Sequence, residues 1–89
     1  MLEFEKYVFN IEEICGSEKY FIVMLRSERK NEAIEKILHS GEINELFSGL
    51  VYEVSLKNVS LRVYRSGKIL FKGLETEEKV KEILEDILK

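Results

Sequence analysis

The sequence predicts an α+β domain of element order β-β-α-β-β-β-α, an antiparallel sheet with two helices packed on one face. Three observations lead there. Val80, Ile83, Leu84, Ile87 and Leu88 recur at i, i+3, i+4, i+7 and i+8, one apolar stripe of a helix that another layer must cover. Three runs of strand composition, Leu50 to Ser55, Val59 to Ser66 and Lys68 to Gly73, stand between this pattern and an earlier helical one. With 89 residues the chain supplies one core, so strands and helices share it and the domain spans residues 1–89.

In chain order, Phe4 to Ile14 reads as an edge strand that ends at Cys15-Gly16-Ser17. Tyr20 to Arg26 is apolar on both faces and belongs inside the sheet. Ser27 is placed as the N-cap of a helix whose buried face is Ala33, Ile34, Ile37 and Leu38, with Gly41 as its stop. A short apolar turn follows at Ile43, Leu46 and Phe47, either a helical extension or a rim. Lys57-Asn58 and Ser66-Gly67 provide the turns between the last three strands. Thr76 caps the final helix, and Glu77 and Glu78 suit its positive N-terminus.

Charge is unevenly placed. The net charge is −3, yet the stretch from Lys57 to Lys72 holds Lys57, Arg62, Arg65, Lys68 and Lys72 and no acid. That stretch carries +5 and the remainder −3 − 5 = −8. Period-two alternation turns Leu61, Val63, Ile69 and Phe71 toward the helices. Ser60, Arg62, Tyr64, Ser66, Lys68, Leu70 and Lys72 are left for the open face. The same parity takes Leu50, Tyr52 and Val54 as core and sets Glu53 discordantly among the outward residues.

Other chemistries find little footing. No apolar run approaches the roughly 18 to 20 residues of a membrane span, and the first residues lack the pattern of a secretion signal, so a soluble, cytoplasmic protein is expected. The lone cysteine, Cys15, is read as a bystander, and the lone histidine, His39, has no second ligand at zinc-site spacing. Glu12-Glu13 and Glu77-Glu78 are adjacent pairs that do not converge as an acid/base couple. Neither an enzyme nor a cofactor is expected. The absence of proline and the weight of Lys, Glu and Ile suit a heat-adapted, archaeal type of chain.

The segment Phe47-Ser-Gly-Leu-Val-Tyr-Glu-Val, continued by Leu61-Arg-Val-Tyr-Arg-Ser-Gly-Lys-Ile-Leu-Phe-Lys-Gly and a glutamate-rich helix, resembles one repeat of the TATA-binding protein family. Phe47 to Lys68 lies on that family's pattern without a gap, and the resemblance covers roughly the last half of the chain. Tyr64 to Gly73 is also similar to the N-terminal domain of ribonuclease HIII, a substrate-binding module of the same fold. Both resemblances imply a curved sheet whose open face meets nucleic acid, either duplex DNA or an RNA/DNA hybrid.

The resemblance assigns wedge positions to Phe47 and Tyr64, and groove or phosphate contacts to Ser66 and Lys68. In that family itself, apolar side chains enter minor-groove steps and unstack them at about a few kcal/mol each. A tyrosine still stacks, but its hydroxyl disfavours a dry wedge. Glu53 stands where the family tends to carry arginine, so TATA-specific reading is not expected. Phe47 has a second reading as a core aromatic closing the first helix, and Arg62, Lys68 and Lys72 have one as a solvated strand face. Their concentration beside an aromatic favours the nucleic-acid reading. The expected function is a transcription-related nucleic-acid-binding module acting through Phe47, Arg62, Tyr64, Ser66, Lys68 and Lys72. A homodimer joined at sheet edges would restore a saddle. The alternative is an adaptor that docks a transcription or nucleic-acid-processing protein.

Overall fold

In the computed structural model, which describes residues 3–16, 18–45, 49–56 and 59–88, a six-stranded antiparallel sheet carries two helices on one face. The strands are β1 (Val8–Ile14), β2 (Tyr20–Leu25), β3 (Glu42–Glu45), β4 (Val51–Leu56), β5 (Val59–Tyr64) and β6 (Lys68–Lys72). The helices are α1 (Lys30–Leu38) and α2 (Glu77–Leu88). The spatial order β1-β2-β6-β5-β4-β3 leaves β1 and β3 as the edges and puts β6 beside both β2 and β5. This is the α+β arrangement expected, with one strand more.

The core lies between sheet and helices. Phe21, Val23, Val54, Leu61, Val63, Ile69 and Phe71 face Ala33, Ile34 and Ile37 of α1 and Val80, Leu84 and Leu88 of α2, all fully buried. The α2 stripe is therefore covered as predicted, and the Lys79 amide donates to Thr76 Oγ1 at 3.3 Å, the expected cap. At one end of the core Tyr7 is buried, its hydroxyl donating to Glu32 Oε2 of α1. Arg29 and Lys36 approach the Tyr7 ring at 5.2 and 5.0 Å from its centroid.

Four local expectations are corrected. Phe4 to Lys6 is not strand but part of a 3-10 turn, Glu3–Lys6, because Phe4 buries itself in the core and its amide donates to Glu85 Oε2 of α2 at 3.1 Å. Ser27 is not the N-cap. It lies in a turn, α1 starts after Arg29, and no side chain caps it. The chain leaves the helix at His39, before Gly41, whose service is different: a Cβ there would collide with the carbonyl oxygen of Ser55. Leu50 is 64% exposed, because it sits in the turn ahead of β4 rather than in the ladder.

The short apolar turn after Gly41 resolves in part. Glu42–Glu45 is an edge strand paired along β4, so neither a helical extension nor a rim describes it, while Leu46 and Phe47 lie outside the described residues. The Ser66-Gly67 turn forms as read. Gly67 has φ +109°, a conformation that costs an L side chain, and its carbonyl accepts from the Leu25 amide at 2.8 Å. The Lys57-Asn58 turn also lies outside the described residues.

Candidate nucleic-acid interface

Register decides what the open face presents, because residues directly opposite across a ladder share a face. The β5–β6 pairs Tyr64↔Lys68, Arg62↔Leu70 and Ser60↔Lys72 alternate with the buried pairs Val63↔Ile69 and Leu61↔Phe71. The row containing Tyr64, Arg62, Lys68 and Lys72 therefore points away from both helices. Each of these four keeps solvent access. Ser66 is exposed in the turn joining the two strands, next to the row rather than within it. Phe47 lies outside the described residues.

The discordant acid acquires a partner here. Glu53↔Arg62 is a direct cross-strand pair, and Glu53 Oε2 lies 3.6 Å from Arg62 Nη2, with both side chains about a third exposed. Glu53 is thus neutralised by the arginine the interface would use, and Arg62 brings less free charge to a ligand than its formula suggests. Lys68 and Lys72 are differently placed. Among the described residues neither meets a carboxylate, and Lys68 Nζ stands 5.3 Å from the centroid of the Tyr64 ring.

Arg65, a further cation of the basic stretch, leaves the interface. It follows β5 and turns toward α1, with Nη1 3.9 Å from Glu35 Oε1 and Nη2 donating to the Tyr52 hydroxyl at 3.2 Å. Its guanidinium also covers the Tyr52 ring, 5.5 Å from the centroid. Arg65 is a strut between β4, β5 and α1.

Part of the face was not anticipated. The pairs Tyr20↔Lys72, Ile22↔Leu70 and Met24↔Lys68 bring Tyr20, Ile22 and Met24 of β2 onto the same open side. A hollow of about 320 Å³ is lined by Glu18, Tyr20, Ile22, Tyr64, Lys68, Leu70 and Lys72. The apolar run at 20–26 signalled a two-sided strand, but only its register against β6 shows which side joins the cations. Elsewhere, Cys15 Sγ donates to Glu13 Oε2 at 3.3 Å, which lowers the Glu13 pKa and raises that of the thiol. No cluster of metal-ligating side chains occurs among the described residues, and no described helix is long and apolar enough to cross a membrane.

Comparison with known proteins gives one family. The model of transcription factor TFIID, or TATA-binding protein, matches residues 31–89, from the second residue of α1 through α2. No curated protein and no solved structure gives a match. The match spans β3 to β6 and both helices, and the remaining strands β1 and β2 extend the same sheet. The chain belongs to the TATA-binding protein family.

Proposed function

We propose that this protein is a transcription-related nucleic-acid-binding module that engages its ligand on the open face of the sheet. The observation that carries this reading is the Tyr64, Arg62, Lys68 and Lys72 row, turned to solvent in a chain of a DNA-binding family. Lysines neutralise phosphate, tyrosine stacks on a base or enters a base step, and Ser66 at the turn offers a hydroxyl to the backbone. Phe47 is proposed as a second aromatic contact on the strength of the family pattern. Duplex DNA and an RNA/DNA hybrid are both ligands of the expected kind.

Fluorescence anisotropy tests this with TATA duplex, unrelated duplex, RNA/DNA hybrid and single strands across a salt series. Binding whose affinity falls with ionic strength supports the reading, and Lys68→Ala should weaken all sequences alike. Flat titrations at low salt with every ligand retire it. We further propose a cytoplasmic homodimer joined at the β1 or β3 edge, which light scattering tests directly. The adaptor reading draws on the −8 carried outside residues 57–72, a surface suited to a basic protein partner, and it becomes the better one if no nucleic acid binds.

A further inference from the structure

Resting on the nucleic-acid reading above, we infer that the open face is built for a single strand, held by two tyrosine–lysine units related diagonally across β6. Tyr64 lies directly opposite Lys68 on one side of β6, and Tyr20 lies directly opposite Lys72 on the other. Each unit sets a tyrosine directly opposite a lysine, and in the first the Lys68 ammonium stands 5.3 Å from the centroid of the Tyr64 ring. A polynucleotide strand repeats one base and one phosphate, so the two units match its repeat. Between them lies an apolar floor, Leu70 and Ile22, themselves a cross-strand pair. All six residues line the same 320 Å³ hollow.

The dimensions follow from sheet geometry. Lys68 and Lys72 are four residues apart on one strand, about 13 Å, and β2 lies two inter-strand steps from β5, about 10 Å. The Cα atoms of the two tyrosines therefore stand about 16 Å apart on the diagonal. Stacked bases rise about 3.4 Å, so the rings hold bases that are not neighbours, and the intervening nucleotides cross Leu70 and Ile22. Ligands of two nucleotides cannot reach both units.

Charge favours a single strand over a duplex. Glu53 engages Arg62, leaving Lys68 and Lys72 as the cations of the hollow, and Glu18 at its rim removes part of that charge. Duplex binding through phosphates rests on many more contacts, typically about 6–10. Stacking supplies what charge does not: a base on an aromatic ring contributes about 1–3 kcal/mol by alanine substitution, and only an unpaired base offers its whole face. On binding, the Lys68 ammonium leaves the Tyr64 ring for a phosphate and frees that ring for the base.

The test is anisotropy with labelled oligothymidine and oligouridine of increasing length, beside a duplex of the longest length. Octamers of both kinds should bind more tightly than the duplex, with a sharp loss of affinity at the dinucleotide. Tyr20→Ala and Tyr64→Ala should each weaken octamer binding about 5- to 150-fold, and the corresponding phenylalanine variants should retain it. Both tyrosines are partly exposed, so thermal melts confirm that the variants remain folded. Should an alanine variant melt early, Lys72→Gln replaces it, expected to reduce the salt slope by about 0.7. A duplex that outcompetes the octamer, or a Tyr20→Ala protein that binds unchanged, overturns the single-strand inference and leaves the broader reading standing. Silence toward every nucleic acid removes both.

Discussion

Replacing Glu53 by Gln should strengthen nucleic-acid binding, an unusual direction for a substitution inside an interface. The Glu53–Arg62 pair, 3.6 Å apart and part-exposed, holds the guanidinium in a contact worth about 0–1 kcal/mol. Its loss costs stability no more than that. Without the carboxylate, Arg62 joins Lys68 and Lys72 as a third cation for phosphate. On a single strand each neutralised phosphate contributes a slope of about −0.7 in log K against log salt, so the slope steepens from about −1.4 to about −2.1. Between 50 and 200 mM salt the wild-type affinity should then fall about 7-fold and that of Glu53→Gln about 18-fold. At the lower salt, one more exposed charge contact of about 0.5–1 kcal/mol tightens binding about 2- to 5-fold. Anisotropy with one labelled strand at several salt concentrations reads both quantities. An unchanged slope would mean that Arg62 never meets phosphate, and weaker binding would mean that Glu53 orients the arginine for the ligand instead of withholding it.

Three further outcomes concern the scaffold and its edge. The Tyr7 hydroxyl, chief among the causes, lowers the Glu32 pKa in the folded state, so this contribution to stability is full above the ordinary glutamate range and disappears as pH falls through the lowered value. Acid denaturation of Tyr7→Phe should accordingly be flatter than wild type across that window, and parallel curves would contradict the linkage. Gly41→Ala places a Cβ against the Ser55 carbonyl and should cost about 1–3 kcal/mol, a fall in Tm of several degrees by calorimetry; an unchanged Tm would show that the α1–β3 connection yields freely. The Cys15 thiol, whose pKa is raised first by its hydrogen bond to Glu13, should alkylate slowly at neutral pH and faster in Glu13→Gln, and equal rates would remove that bond from solution.

The helices and core were legible because their signal is local. The α2 stripe needs only its own spacing, and the inward residues of β5 and β6 need only parity once one buried neighbour is fixed. The face was legible by halves. Tyr64 and its cations follow from alternation within one segment, whereas Tyr20 depends on the pairing of β2 with β6, about 50 residues later in the chain, which no local pattern encodes. The Glu53–Arg62 contact was hidden for the same reason, appearing as a misplaced acid until the β4–β5 register set the two opposite. Strand β3 was missed because Ile43, Leu46 and Phe47 mimic helical spacing, and its four residues are too few to show alternation. Ser27 failed as a cap because it belongs to the turn of residues 27–29 between β2 and α1, two residues short of the helix's own N-cap position at Arg29.

Membership of a family and choice of ligand separate physically along each strand. Alternate residues of β5 and β6 build the core, and the residues between them build the face, so one set can be held while the other changes. In this chain the inward set, Leu61, Val63, Ile69 and Phe71, is fully buried and holds the two helices. The outward set contains an arginine, Arg62, engaged by the acid Glu53 of β4, and a tyrosine, Tyr64, at a proposed wedge position. Two of the six residues of the proposed site, Tyr20 and Ile22, lie on β2, outside the segment that the family model matches. The family's way of meeting DNA therefore carries over only as far as the outward set allows, and that set, joined by Tyr20 of β2, would offer the proposed ligand two rings with two cations rather than a broad basic saddle. The scaffold accounts for the shape of the surface, and the alternate residues carry the ligand proposed for it.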